Sequence, residues 1–180
     1  MIYFVRHGQT FDNLNNIIQG NGDLTPLGVE QAKETAVKLK DVKFDICFCS
    51  PLKRTKQTLK EILKFHKNLE VVYDNRLIER DYDEVVGKHF SEIINFEGRW
   101  KGTETLPYKI ESLDDFYNRV ASFYNDVKKQ YGEKTVLVVS HNGVAKMSNA
   151  YFNGMPKDKD FSTFSLKNGS FHIFQYKKNK

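Results

Sequence analysis

Apolar and polar positions follow two rhythms along the chain, one suited to strands and one to helices. Residues 1–5 form a short continuous apolar run, which reads as a buried strand. Thr25-Pro26 then gives a capping residue followed by a first-turn proline. The helix it opens is expected to run to about Lys40 and to bury Leu27, Ala32, Ala36 and Leu39. Residues 44–49 read as the next strand. Ser50-Pro51 repeats the cap-plus-proline signal before a helix through Leu59, Ile62, Leu63 and Phe65. Residues 69–73 read as a third strand. Between 74 and 110 the pattern weakens, with a helix expected near 91–96 and a looser stretch around 98–107. Ser112-Leu113-Asp114-Asp115 opens the clearest helix, because acidic residues in a first turn suit the helix dipole. Leu113, Phe116, Tyr117, Val120, Phe123, Tyr124, Val127 and Tyr131 make one apolar stripe along it. Residues 135–139 are continuously apolar and β-branched, the mark of a strand covered on both faces. A helix through Val144, Met147 and Tyr151 follows. The chain closes with two expected strands, 161–166 and 170–176, joined by a hairpin turn at Asn168-Gly169. Strands alternating with helices predict an α/β fold. The expected form is a three-layer α/β/α sandwich with a mainly parallel sheet and an antiparallel edge strand.

Composition fits a folded chain: 39% of the 180 residues are hydrophobic and 28% charged, too apolar for disorder. No Pro/Gly/Ser linker or repeat divides it, so one domain over 1–180 is expected. The net charge of +5 suits anionic ligands, although most of its lysines, Lys177, Lys178 and Lys180 among them, read as solvated surface. No concentrated basic face or aromatic–basic signature points to nucleic acid. No apolar stretch approaches membrane-spanning length. Cys47 and Cys49 lie two apart in an apolar run and read as small buried residues on one face of a strand, not a disulfide or metal site. A reducing, cytoplasmic setting is expected.

Candidate chemistry gathers where strands end. Arg6-His7-Gly8 follows the first strand, Ser50-Pro51-Leu52-Lys53-Arg54 the second, and Ser140-His141-Asn142-Gly143 the 135–139 strand. Ligands of open α/β sheets bind at that edge. Any one of these histidines alone would more often be structural; their joint placement is the signal. A phosphoryl group in transfer spreads negative charge over three oxygens, and arginine meets such oxygens with rigid, paired donors. A neutral imidazole can attack phosphorus through one nitrogen while an acceptor holds the proton on the other. Arg6 and Arg54 nearby would disfavour the imidazolium and keep His7 nucleophilic.

These motifs resemble those of the histidine phosphatase superfamily, also called the phosphoglycerate mutase-like family. Arg6-His7-Gly8-Gln9-Thr10 with Asn13 is similar to its opening signature. The run from Leu24 to Ala32, the run from Ser50 to Thr58, Leu77-Ile78-Glu79-Arg80 with Gly87, and Ser140-His141-Asn142-Gly143-Val144 follow in the family's order. The resemblance implies a phosphorylated His7. It implies Arg6, Arg54 and His141 on the phosphoryl oxygens, and Glu79 as general acid and then base. Asp83 and Glu84 lie close enough to compete for that last role. Asn13, Gln19 and Asn142 are the implied substrate contacts, Asn142 through its backbone N–H. No metal and no cofactor are implied. Mutases of the family carry a longer segment after the acid, whereas the insert at about 87–112 is short, so hydrolysis is expected over isomerisation. A protein phosphohistidine phosphatase and a catalytically inactive phospho-ligand binder are the remaining alternatives, the insert of about 25 residues arguing against the most minimal of the former. The expected partner is a small phosphorylated substrate, with no nucleic acid or membrane, acting on a monomer or homodimer. Lys88, His89, Arg99, Trp100, Lys101 and Tyr108 lie where substrate selectivity is expected.

Overall fold

The computed structural model describes residues 1–18, 20–103 and 105–176. Gln19 and the three terminal lysines named above lie outside them. Five strands form one sheet: β1 (Ile2–Arg6), β2 (Ile46–Cys49), β3 (Val71–Tyr73), β4 (Val136–Ser140) and β5 (Phe171–Phe174), in the order β3-β2-β4-β1-β5. The pairs β2–β3, β2–β4 and β1–β4 are parallel, and β5 runs antiparallel on β1 at the edge. The helices are α1 (Phe11–Leu14), α2 (Pro26–Leu39), α3 (Lys53–Ile62), α4 (Leu113–Tyr131) and α5 (Asn142–Asn153).

Strand pleating sorts the core into two halves. Ile2, Phe4, Ile46, Phe48, Val136 and Val138 face α4 and α5, against Phe116, Val120, Phe123, Tyr124, Val144 and Met147. Val5, Cys47, Cys49, Leu137 and Val139 face α2 and α3, against Ala36, Leu39, Leu59 and Ile62. The sheet is thus covered on both faces, as the unbroken apolar run of β4 requires. Each fully buried side chain of this size is worth about 1.5–3 kcal/mol relative to exposure. Both cysteines lie free and buried in the second half, on the same face of β2 as their spacing predicts. Among the described residues no helix is long and apolar enough to cross a membrane.

The capping signals place the helices well at some ends and poorly at others. Thr25 Oγ1 accepts from the Gly28 N–H at 3.0 Å, with Pro26 in the first turn of α2. Ser112 Oγ accepts from the Asp115 N–H at 3.0 Å at the start of α4. Leu27 is exposed rather than buried, because it falls on the outer side of the first turn of α2. Helix α3 begins later than Ser50-Pro51 suggests, with Leu52 at its cap, and ends at Ile62, so Phe65 is exposed beyond it.

Two expected elements are absent in the form predicted. The helix at 91–96 is replaced by separate 3₁₀ turns, Phe90–Glu92 and Phe96–Trp100. Asn95 between them has a left-handed φ of 54°, which no helix accommodates. Their apolar residues instead build a small core of Ile18, Val85, Ile93 and Phe96. The strand at 161–166 is a 3₁₀ turn, Phe161–Thr163, followed by irregular chain, so Asn168-Gly169 leads into β5 without forming a hairpin. Side chains, not a neighbouring strand, satisfy this segment's backbone. Lys146 Nζ donates to Phe161 O and Phe164 O. Asn142 Oδ1 accepts from the Leu166 N–H, and Arg6 donates to Leu166 O.

Candidate active site

The two central strands, β1 and β4, pair in register with Arg6 opposite Ser140. Their ends therefore deliver His7 and His141 side by side, with ring centroids 5.2 Å apart. The loop after β1 is held tightly against α2: a Cβ on Gly8 would collide with the carbonyl of Gly28. That close backbone approach is why glycine follows His7.

Arg54 rises from α3 between the two rings. Its single Nε–H lies 3.2 Å from His7 Nε2 and 3.2 Å from His141 Nδ1, a donor shared by two imidazole lone pairs. The remaining contacts assign the tautomers. His7 Nδ1–H donates to Gly8 O at 2.7 Å, and His141 Nε2–H donates to Ser50 Oγ at 2.8 Å. Both rings are buried and both are held neutral, their pKa values well below the usual 6.5. Burial is the largest cause for each, and the charge of Arg54 comes next. The neighbouring arginines that the sequence singled out therefore act second to desolvation. His141 is thus held neutral rather than protonated, by burial first and then by the charge of Arg54.

Two guanidinium nitrogens are buried without a partner among the described residues: Arg6 Nε and Arg54 Nη2. An unpaired buried donor is costly, and the charges of both arginines bear on His7, so these donors mark a place where acceptor oxygens belong. Burial lowers the pKa of Arg54 to about 10, still leaving it charged at neutral pH.

Glu79 approaches from the opposite wall. Its Oε2 accepts from the Gly143 N–H at 3.1 Å and its Oε1 from the Arg80 N–H at 2.9 Å, bringing the carboxylate beside the start of α5. Asp83 and Glu84 are exposed on the outside of the same segment, engaged with Lys109. Arg6, Asn13, Glu79 and Asn142 line one cleft of about 280 Å³, roofed by Tyr82, Phe90, Phe96, Arg99 and Trp100. A second hollow of about 600 Å³ meets it at Glu79.

Asn13 Oδ1 is taken by the Thr10 N–H and by Asn168, so any donation to a ligand comes from its Nδ2. The Asn142 side chain is turned to Leu166 and Ser165, which leaves its backbone N–H, not its amide, for a ligand. Gln19 lies outside the described residues. Of the selectivity candidates, Arg99 and Trp100 line the cleft with Arg6. Lys101 and Tyr108 border a neighbouring hollow with Arg99.

Several residues at or behind the site escaped sequence reasoning. Ser50 orients His141, a role its place beside proline disguised as helix capping. Asn168 Nδ2 holds His7 O at 3.2 Å, although its Asn-Gly context reads only as a turn. Arg119, a polar position on the α4 stripe, donates to the carbonyls of Arg76, Ile78 and Glu79 and pairs with Glu111.

Relatives share this arrangement's framework. The chain is 32% identical to Phosphoserine phosphatase 1 of Hydrogenobacter thermophilus, over 99% of this chain and 88% of that protein. It is 27% identical to the 2,3-bisphosphoglycerate-dependent phosphoglycerate mutase of Cytophaga hutchinsonii, over 98% of this chain and 87% of that protein. The solved phosphoserine phosphatase of Entamoeba histolytica, in complex with 3-phosphoglyceric acid, matches at TM-score 0.81 and 30% identity. That match covers 94% of this chain and 87% of the other. Residues 2–180 match the family described as Histidine phosphatase superfamily (branch 1). With the fold, the paired histidines and the matched length in agreement, the chain belongs to the histidine phosphatase superfamily, branch 1, and is a phosphatase-type enzyme of that family.

Proposed function

We propose that the chain hydrolyses small phosphate monoesters through a covalent phosphohistidine on His7. The observation that carries the reading is a pair of buried donors without partners among the described residues, Arg6 Nε and Arg54 Nη2, on two arginines whose charges act on the neutral His7 imidazole. In the first half-reaction His7 Nε2 attacks phosphorus while Gly8 O keeps the proton on Nδ1. The N–P bond forms as the ester P–O bond breaks, and Glu79 gives its proton to the departing alcohol. The Arg54 Nε–H exchanges its imidazole partners for phosphoryl oxygens. The incoming dianion favours protonation of His141, which then donates to a phosphoryl oxygen. In the second half-reaction the Glu79 carboxylate takes a proton from water, oxygen bonds to phosphorus, and the N–P bond breaks.

The cleft of about 280 Å³ and the adjoining hollow of about 600 Å³, which share Glu79, are of the order of small-molecule sites, roughly 300–1,000 Å³, and this favours a small-molecule substrate. The short stretch at about 87–112 favours hydrolysis over phosphate return to a second hydroxyl, because a mutase must shield its phosphohistidine from water. Within this reading the enzyme works in the cytoplasm as a monomer or homodimer, without metal or cofactor. Measuring phosphate release and phosphoglycerate isomerisation side by side tests it. Release is expected to dominate, and efficient isomerisation with little release would overturn the phosphatase assignment.

A further inference from the structure

The irregular chain at 161–166 runs beside the site without a strand partner, and α5 supplies the partners its backbone needs. Asn142 and Lys146 stand four residues apart on α5 and so share one face of it. Lys146 Nζ donates to Phe161 O and Phe164 O. Asn142 Oδ1 accepts from the Leu166 N–H at 2.9 Å and from Ser165 Oγ at 3.1 Å. The Leu166 carbonyl in turn accepts from Arg6 Nη1. Among the described residues that is the one hydrogen bond of the Arg6 guanidinium, and its buried Nε has none. Further along, the chain returns to β1: the Gly169 N–H donates to His7 O at 2.9 Å and the Arg6 N–H to Ser170 O at 3.0 Å.

A guanidinium is planar, so an anchor at Nη1 helps to set where its other nitrogens point. The anchor of Arg6 is a carbonyl with no strand ladder to hold it. Packing buries the Leu166 side chain in the core, but apolar contact is non-directional and does not choose the direction of a carbonyl. A hydrogen bond is directional, and the one at the Leu166 N–H comes from Asn142. Asn142 also follows His141, the residue that caps α5. One side chain therefore ties the start of the helix behind His141 to the segment that holds Arg6. The two phosphoryl-binding groups at the ends of β4 and β1 are set relative to each other by that link.

We propose that the Asn142 side chain is a positioning residue for Arg6: it fixes Leu166, Leu166 O fixes the guanidinium, and the amide itself touches no substrate. Lys146 steadies the same segment upstream. The proposal rests on the phosphatase reading above, in which Arg6 meets phosphoryl oxygens.

A double-mutant cycle of Asn142→Ala and Arg6→Met tests it, with two readouts taken below every melting point. One is kcat/KM for p-nitrophenyl phosphate, and the other is the Kd of inorganic phosphate followed by phosphorus NMR. With Arg6 present, Asn142→Ala is expected to lower kcat/KM by about 10- to 100-fold, the range for a binding group displaced by about 1 Å, and to weaken phosphate binding. In the Arg6→Met background the same change is expected to cost no more than about threefold in either readout, because the two residues act as one unit. Ser165→Ala, which removes the neighbouring bond to Asn142 and leaves the one to Leu166, is expected to keep wild-type kcat/KM. A purely structural role would lower activity equally in both backgrounds. If Asn142→Ala does not fold, Lys146→Met takes its place in the cycle with the same dependence on Arg6 expected. Equal losses with and without Arg6, or no loss at all, overturn the proposal. Turnover that survives His7→Ala would overturn the phosphatase reading instead, and the phosphate-binding cycle would still decide the role of Asn142.

Discussion

Arg119→Met isolates the device that holds Glu79 in place. Arg119 donates to Arg76 O at 2.7 Å, Ile78 O at 2.8 Å and Glu79 O at 3.1 Å, and forms a two-point contact with Glu111 at 2.7 and 2.8 Å. The side chains of Arg119 and Glu111 are only 24% and 15% exposed, so water replaces little of what is lost. Three carbonyls without donors and a carboxylate without its partner, at about 0.5–1 kcal/mol each, give a loss of roughly 2–4 kcal/mol. For a chain of this length that is a fall in Tm of roughly 5–15 °C. The catalytic effect is more specific. Freed from its clamp, Glu79 loses its alignment, and misplacement by about 1 Å costs on the order of 10²-fold in rate. An alkyl phosphate needs a proton on its leaving group far more than p-nitrophenyl phosphate does. The expected result is therefore a fall of about 10²-fold in the ratio of alkyl to aryl phosphate turnover, measured by phosphate release at a temperature below both melting points. A lower Tm with an unchanged ratio would refute the reasoning, because Arg119 would then brace the fold without positioning Glu79.

Other consequences are as direct. Gly143→Ala would drive a methyl group onto the Glu79 carboxylate and the edge of Trp100. Overpacking of this kind costs about 1–3 kcal/mol, and alkyl phosphate turnover is expected to fall with it; an unchanged kcat contradicts the close approach. His7 and His141 have native pKa values depressed below 6.5, so below that pH the unfolded chain binds their protons first and stability drains away as pH falls. His172 adds in the same direction. Urea unfolding at pH 7.5, 6.5 and 5.5 should show a loss approaching about 1.4 kcal/mol per pH unit per buried histidine, and a flat profile contradicts the burial argument. Burial pushes the Cys47 thiol up and the Cys49 thiol to about 12, so iodoacetamide should label neither in the native protein and both in denaturant. Rapid native labelling would contradict their placement under α2 and α3.

The legible parts of the sequence are those where one local rule and one tertiary role agree. The β4 run is apolar because helices cover both its faces, and the acidic first turn of α4 both caps and stays exposed. His7, Arg54 and His141 follow from strand ends, since parallel pairing brings those ends to a single edge. Glu79 was readable only by resemblance; what separates it from Asp83 and Glu84 is a bond to the Gly143 N–H, which no local pattern encodes. Residues 161–166 read as a strand from their apolar spacing, but Lys146 and Asn142 on α5 take their backbone groups first. Ser50 likewise carries a capping signature and spends its hydroxyl on His141. Arg119 looks like an ordinary polar position on a helix until the carbonyls it gathers are seen.

The central claim is that phosphate passes through His7. Mixing the enzyme with p-nitrophenyl phosphate for milliseconds, quenching in alkali and mapping the peptides by mass spectrometry tests it most directly. The account predicts an acid-labile phosphate on His7 that forms and decays within a turnover and is missing in His7→Ala, together with the activity. Phosphate trapped on another residue, or sustained hydrolysis by His7→Ala, would contradict it.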